Sequence, residues 1–444
     1  MKVWRWILGG VVLAGAASCV ALGDFASDDP GFTEAPGTFE GRFLALADAS
    51  MAGTAYGDNL LEPFEGMRDE LILFEEGEAR AVIEASNSVV SWPQILDISP
   101  DGRFAYVVET RGNLDPSIEA VDDVYKDMPG GRLLSVFGVD DGALTLLQEV
   151  EVGGASPQSV EAPEALPLLY IATETDGAEL VTFSVSGDGA VEDRRAFDLE
   201  PPYLPEDAEK RIRTLVVAPD GVTFAANIGN KRVQFYRTVL DLDQRPQEVE
   251  KIGEAIEFGV RLSTMKWTPD GSFLIVTDVN SYDSTLAMLT QKGGQVFVIA
   301  PPDGEAAARV VDQARVGRFA EGVELSDDGR YIASIAMERT YLPELFFLEA
   351  WPRRRQYSLM LLELEPETGA LSVMDEIRVA GVLPEDVIFD ESGRNLAVAT
   401  FHRRKGADRQ RGFIDFFSIE DGKLVAQDRT QATMRGPHDL VRIP

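Results

Sequence analysis

One short string, repeated along the chain, limits what it can fold into. It reads Ser-Pro-Asp-Gly at residues 99–102, Ala-Pro-Asp-Gly at 218–221, Thr-Pro-Asp-Gly at 268–271 and Ser-Asp-Asp-Gly at 326–329. A weaker copy, Asp-Glu-Ser-Gly, sits at 390–393. Proline presets φ, aspartate bonds to its own backbone and glycine accepts positive φ, so each copy predicts a tight hairpin turn. An apolar, alternating run precedes each turn and a β-rich run follows it. Residues 159–162 and 168–172 form a further unit that keeps the strands and lacks the turn.

A second turn recurs further along each unit: Asp140-Asp141-Gly142, Gly187-Asp188-Gly189, Pro302-Asp303-Gly304, Glu367-Thr368-Gly369 and Glu420-Asp421-Gly422. Each unit therefore reads as strand, turn, strand, loop, strand, acidic-glycine turn, strand. Four antiparallel strands in about fifty residues make a propeller blade. Six units fit between Trp92 and Thr430. The C-terminal residues 436–444 supply one strand of a seventh, and residues 43–47, 71–74 and 79–85 supply its other three. Mixing the two termini in one blade closes the ring and removes open sheet edges. The expected fold is all-β, a seven-bladed β-propeller of four-stranded antiparallel blades, as one domain over residues 39–444.

Counting back from the turns places one residue per blade at the mouth of the central channel: Gln94, Gln158, Arg213, Ser263, Glu321, Glu385 and His438. All seven are polar, although the strands they begin are mostly apolar. The next positions inward are Ile95, Ser159, Thr214, Thr264, Gly322, Asp386 and Asp439. Two carboxylates, a guanidinium and one of only two histidines converge in this ring, a combination suited to acid–base work and anion binding. A water-lined channel with no function reads the same way.

The loops joining second and third strands open on the same face and are long in five blades, over residues 49–69, 110–131, 280–294, 338–355 and 402–412. The chain is strongly acidic, with formal net charge −34, which disfavours nucleic acid and anionic membrane as partners. These loops run against that background. Arg403, Arg404, Lys405, Arg409 and Arg411 lie beside His402, and Arg353, Arg354 and Arg355 lie beside Trp351. Lys231, Arg232, Arg111 and Arg339 join the same face. Either they bind a small anionic ligand or they pair with the acidic rim. Arg339, His402 and Arg403 are carried forward as binding candidates. Tyr341, Phe346, Phe347 and Trp351 would wall a pocket or pack the longest loop.

The N-terminus reads as an export signal: Lys2 and Arg5, an apolar stretch over residues 7–17, then Ala16, Ala17 and Ser18 before Cys19. Residues 1–18 are expected to be the signal. Cys19 is the candidate lipidation site and would be the only membrane attachment; ordinary cleavage nearby is the alternative. Residues 19–38 read as a flexible tether. Location is then the periplasmic side of the cell envelope or, without the lipid, the periplasm or medium. Cys19 is the only cysteine, so no intramolecular disulfide forms. The chain is expected to be a monomer.

Two histidines and one N-terminal cysteine argue against a zinc or copper centre. There is no nucleophile elbow, phosphate loop or dinucleotide fingerprint. No cofactor is expected; a structural calcium on Glu321, Glu385, Asp386 and Asp439 stays open.

The blade pattern and acidic-glycine hairpins resemble the lactonase-type seven-bladed propellers, a group that includes bacterial 6-phosphogluconolactonase and borders on the YVTN-repeat surface proteins. The resemblance covers about residues 39–444. It implies that Glu, His and Arg at the channel mouth do the chemistry, and so points to Arg213, Glu321, Glu385 and His438 as catalytic. Gln94, Gln158, Ser263, Asp386 and Asp439 would bind. The implied function is an exported, metal-independent lactonase-like hydrolase or isomerase for a small anionic ester or lactone; the alternative is a non-catalytic ligand- or protein-binding propeller.

Overall fold

A computed structural model describes residues 33–48, 59, 61, 68–86, 94–112, 114–115, 117–201, 212–279, 293–338, 340, 356–402 and 411–444. Seven sheets radiate from one axis. Blade 1 comprises strands Leu96–Ile98, Phe104–Val108, Leu133–Asp140 and Ala143–Glu151; blade 2, Pro157–Glu161, Leu168–Thr173, Leu180–Val185 and Val191–Phe197. Blade 3 comprises Ile212–Val217, Thr223–Ile228, Arg232–Leu240 and Pro246–Glu257; blade 4, Leu262–Trp267, Leu274–Asp278, Gln295–Ala300 and Arg309–Arg315. Blade 5 comprises Ala320–Leu325, Tyr331–Ala336, Gln356–Leu364 and Leu371–Ala380; blade 6, Val382–Phe389, Asn395–His402, Arg411–Glu420 and Lys423–Met434. Blade 7 joins the C-terminal Gly436–Ile443 to Arg42–Asp48, Asp69–Glu75 and Glu78–Ala85. Each innermost strand touches the next, and blade 7 touches blade 1, so the ring closes.

The turns explain the regularity. In blade 1 the Gly102 amide donates to the Ser99 carbonyl, the Ser99 hydroxyl donates to Asp101, and Gly102 has φ +70°. Only glycine takes that backbone without strain, and the same amide-to-carbonyl bond recurs at Gly221, Gly271, Gly329 and Gly393. Innermost strands such as Ile212–Val217 are buried throughout, whereas outermost strands such as Pro246–Glu257 are largely exposed. The core is a set of wedges between neighbouring blades. One wedge packs Leu44 and Leu71 of blade 7 with Val107 and Val136 of blade 1 and Ile171 of blade 2.

Two expectations change. Residues 33–38 are not part of a free tether. Thr33 and Glu34 add a parallel strand to the edge of blade 6 beside Arg429 and Thr430. The Ala35 amide donates to the Thr430 carbonyl, and Gln427 bonds to the Thr38 backbone. An open edge carries unspent backbone donors and acceptors, and the segment satisfies them. In addition, the loop over residues 110–131 carries a short helix, Val121–Asp127. Among the described residues no helix is long and apolar enough to cross a membrane.

Candidate functional site

A β-bulge builds the channel mouth. Between Ser159 and Pro157 the pairing with the second strand skips Gln158, and it skips Arg213 between Ile212 and Thr214. Ser263, Glu321, Glu385 and His438 lie in the same kind of register break in blades 4, 5, 6 and 7. In blade 1, Gln94 precedes the strand with φ +114°. An extra residue that pairs with nothing is turned out of the sheet, which frees these side chains from the blade. All seven ring residues are buried, between 1% and 8% exposed.

The ring has two unlike sides. On blades 5 to 7 lie Glu321, Glu385 and His438. Burial pushes the Glu321 carboxyl up to about 8, against the pull of the Arg261 charge. Burial and then the Glu321 charge hold Glu385 well above the usual carboxylate range, with Asp386 and Asp48 adding to the effect. Burial lowers His438 to about 4, so its imidazole is neutral near pH 7. Among the described residues, Glu385 Oε1 and His438 Nε2 have no hydrogen-bond partner. Thr277 of blade 4 donates to the Glu321 carbonyl at 2.8 Å, and Thr264 contacts the same oxygen.

On blades 1 to 3 the chemistry is cationic. Arg213 reaches Glu174 at 3.4 Å, and Arg111 from the first long loop reaches the same carboxylate at 3.8 Å. Glu174 thus brings two guanidiniums together at the mouth. Gln94 crosses beneath: its Nε2 donates to the Met265 carbonyl of blade 4 at 2.9 Å. Ser263 Oγ and Thr214 Oγ1 are buried and have no partner among the described residues.

Asp386 and Asp439 each hold backbone amides of the next blade. One Asp439 oxygen accepts the backbone amides of Gln94, Ile95 and Leu96 at 2.7–2.9 Å. One Asp386 oxygen accepts the Leu440 amide at 2.9 Å, and Ser159 Oγ accepts the Leu215 amide at 3.0 Å. These side chains tie the innermost strands of blades 7, 6 and 2 to the next blade. Among the described residues no three His, Cys, Asp or Glu side chains converge to hold a metal. On this face Arg232 pairs with Glu257 and Arg411 with Glu34. Cys19, Arg339, Arg403 and the aromatic and triple-arginine stretch at 341–355 lie outside the described residues, as does the side chain of His402.

Deeper in the channel is a cluster the sequence reading passed over. Three positions beyond the ring residues stand Asp97, Glu161, Lys266 and Glu324. Lys266 Nζ lies 2.9 Å from Glu324, and its charge also acts on Asp97, Glu161, Asp386 and Asp439. Burial raises Asp97 to about 6 and Asp439 to about 7. The signal was present: the same count from each turn, carried three residues further, finds one lysine among three carboxylates.

Comparison with known proteins agrees with this architecture. The chain matches the family described as lactonase, 7-bladed β-propeller, over residues 72–405. Its fold is shared by a candidate 6-phosphogluconolactonase from Bacteroides fragilis (16% identity, TM-score 0.62, covering 92% of this chain and 100% of that one). A periplasmic gluconolactonase from Pseudomonas aeruginosa is similar to the same degree (19% identity, TM-score 0.60, 91% and 99%). No curated protein matches the sequence. With seven four-stranded blades closed by both termini and well over half its length matched, the chain belongs to the seven-bladed β-propeller lactonase family.

Proposed function

We propose that the channel mouth binds and hydrolyses a small lactone or ester bearing an anionic group. The observation that carries this is the juxtaposition of Glu321, Glu385 and neutral His438 on three successive innermost strands, with Glu385 Oε1 and His438 Nε2 unpartnered among the described residues. Family membership supports the reaction class, and the two similar structures named for gluconolactone chemistry support the substrate class.

In this reading a carboxyl that stays protonated at neutral pH is the general acid. Glu385 or Glu321 donates a proton to the ring oxygen as the acyl C–O bond breaks. His438 Nε2, neutral and unpartnered, takes the proton from the attacking water. The product is the open hydroxy acid, and proton exchange with solvent resets both groups. Arg213, held by Glu174 beside Arg111, attracts the anionic substituent or the developing oxyanion. Ser263, Thr214 and Gln94 offer neutral hydrogen bonds to the rest of the substrate. We place the protein on the outer side of the membrane, a reading supported by the charged, apolar and small-residue order of residues 1–19.

The test is a panel of aldonolactones, with and without a phosphate, followed by acid release. Glu385→Gln should lower kcat by roughly 10²–10⁴-fold, the usual contribution of one acid–base group, with Tm nearly unchanged. A wild-type protein inactive across the panel, or a Glu385→Gln variant with full kcat, defeats the proposal.

A further inference from the structure

Two tyrosines occupy equivalent places in adjacent blades, and only one has a partner. Tyr106 pairs across from Asp97 in blade 1, and Tyr170 pairs across from Glu161 in blade 2. Asp97 and Glu161 stand at the same position of their innermost strands, three residues past Gln94 and Gln158. Both tyrosines are fully buried. Tyr170 donates its hydroxyl to the Gly221 carbonyl, in the tight turn of blade 3, at 2.9 Å. The equivalent turn facing Tyr106 belongs to blade 2, the one blade of these three without the Pro-Asp-Gly string. Residues 162–167, Ala-Pro-Glu-Ala-Leu-Pro, connect its first two strands instead. The Tyr106 hydroxyl has no hydrogen-bond partner among the described residues.

A cleft of about 360 Å³ lies at this junction, on the face opposite the channel mouth. Residues 99–101, 103 and 104 of blade 1 and 162–168 and 185–187 of blade 2 line it, and Tyr106 borders it as well. The size falls within the range of small-ligand pockets, about 300–1,000 Å³. Its walls are chiefly proline and apolar (Pro100, Phe104, Pro163, Leu166, Pro167), and its charges are Asp101, Glu164 and Arg103, the last paired with Asp101. An anionic ligand meets carboxylates there without a spare cation. A neutral phenol that cannot reach a protein acceptor costs about 1–3 kcal/mol in a buried place, so an incoming acceptor is rewarded.

We propose that this cleft is a second binding site, which takes a short uncharged peptide segment and accepts one main-chain carbonyl at the Tyr106 hydroxyl. The chain itself provides the template, since the same hydroxyl one blade away holds a carbonyl of an Ala-Pro-Asp-Gly turn. The site is independent of the channel-mouth reaction.

The probe follows from the template: the blocked peptide acetyl-Ala-Pro-Asn-Gly-amide, titrated against the full chain and read by ligand-observed NMR. Saturable binding is expected, weakened roughly 2–10-fold in Tyr106→Phe, the worth of one net hydrogen bond, and unchanged in Tyr170→Phe. Stability gives a second readout. Tyr106→Phe removes an unpaired hydroxyl and should leave Tm unchanged or higher, whereas Tyr170→Phe strands the Gly221 carbonyl and should lower it. Replacing residues 162–167 with Ala-Pro-Asp-Gly-Val, the connection of blade 3, should fill the site from within and abolish peptide binding. Absence of saturable binding, equal affinity in Tyr106→Phe, or a Tyr106→Phe loss of Tm matching that of Tyr170→Phe overturns the proposal.

Discussion

The cluster around Lys266 gives the sharpest test of the channel's electrostatics. Lys266→Met keeps the length of the side chain and removes its charge. In the wild-type protein the Lys266 ammonium lies 2.9 Å from Glu324 and offsets Asp97, Glu161, Asp386 and Asp439. Burial alone would lower the Lys266 pKa; the surrounding carboxylates, Glu324 first, raise it instead. Removing one partner of a fully buried pair costs ~3–5 kcal/mol. The two side chains are 36% and 23% exposed to channel water, which screens the interaction, so about 2 kcal/mol is the expected loss near pH 8.

The loss should depend on pH. Asp97 and Asp439 have folded-state values of about 6 and about 7, above their unfolded value. A raised carboxyl stabilises the fold below its unfolded pKa and loses that contribution as pH climbs through the folded value, by up to about 1.4 kcal/mol per pH unit for each group. At pH 5 both are largely neutral and need little from Lys266; at pH 8 both are charged and need it most. Unfolding entropy of ~2.1 cal/mol/K per residue over 444 residues converts 2 kcal/mol into roughly 2 °C of Tm. Differential scanning calorimetry at pH 5 and pH 8 should therefore show a drop of about 2 °C at pH 8 and a smaller one at pH 5. An equal drop at both pH values, or a variant more stable at pH 8, would mean that Lys266 does not offset the raised carboxylates.

Two further expectations concern other parts of the chain. Asp439→Ala orphans three buried amides of blade 1, so denaturant titration should show a loss of at least about 3 kcal/mol; an unchanged midpoint would mean that the blade junction does not depend on this carboxylate. Cys19→Ser should move the protein from the membrane fraction to the soluble fraction of cells, and persistent membrane attachment would remove the lipid anchor from the reading.

Much of the fold was legible because its signals are local. A Pro-Asp-Gly turn is decided within four residues, and strand alternation within five or six, so the blades could be counted and the ring closed from the string of residues. The count also reached the ring positions themselves, since the bulge recurs at a constant distance from each turn. What those side chains do was legible only in part. Gln158, Ser263, Glu321, Glu385 and His438 are buried in the ring as a count predicts, but the count does not say that Arg213 is already held by Glu174.

Long-range partnership decided the rest. Asp439 was expected among the binding residues of the ring; the Gln94 amide it accepts lies 345 residues away in the chain. Nothing near Lys266 in sequence marks it, and five blades place their carboxylates around it. The raised Glu321 and lowered His438 are likewise products of burial, which no residue carries alone. Seven blades, their closure by both termini and the ring positions follow from the residue order, because turns and alternation are short-range. Which of those polar groups keep open hydrogen-bonding capacity depends on the packed blades, because each blade meets its neighbours through hydrogen bonds and charges that chain order does not record.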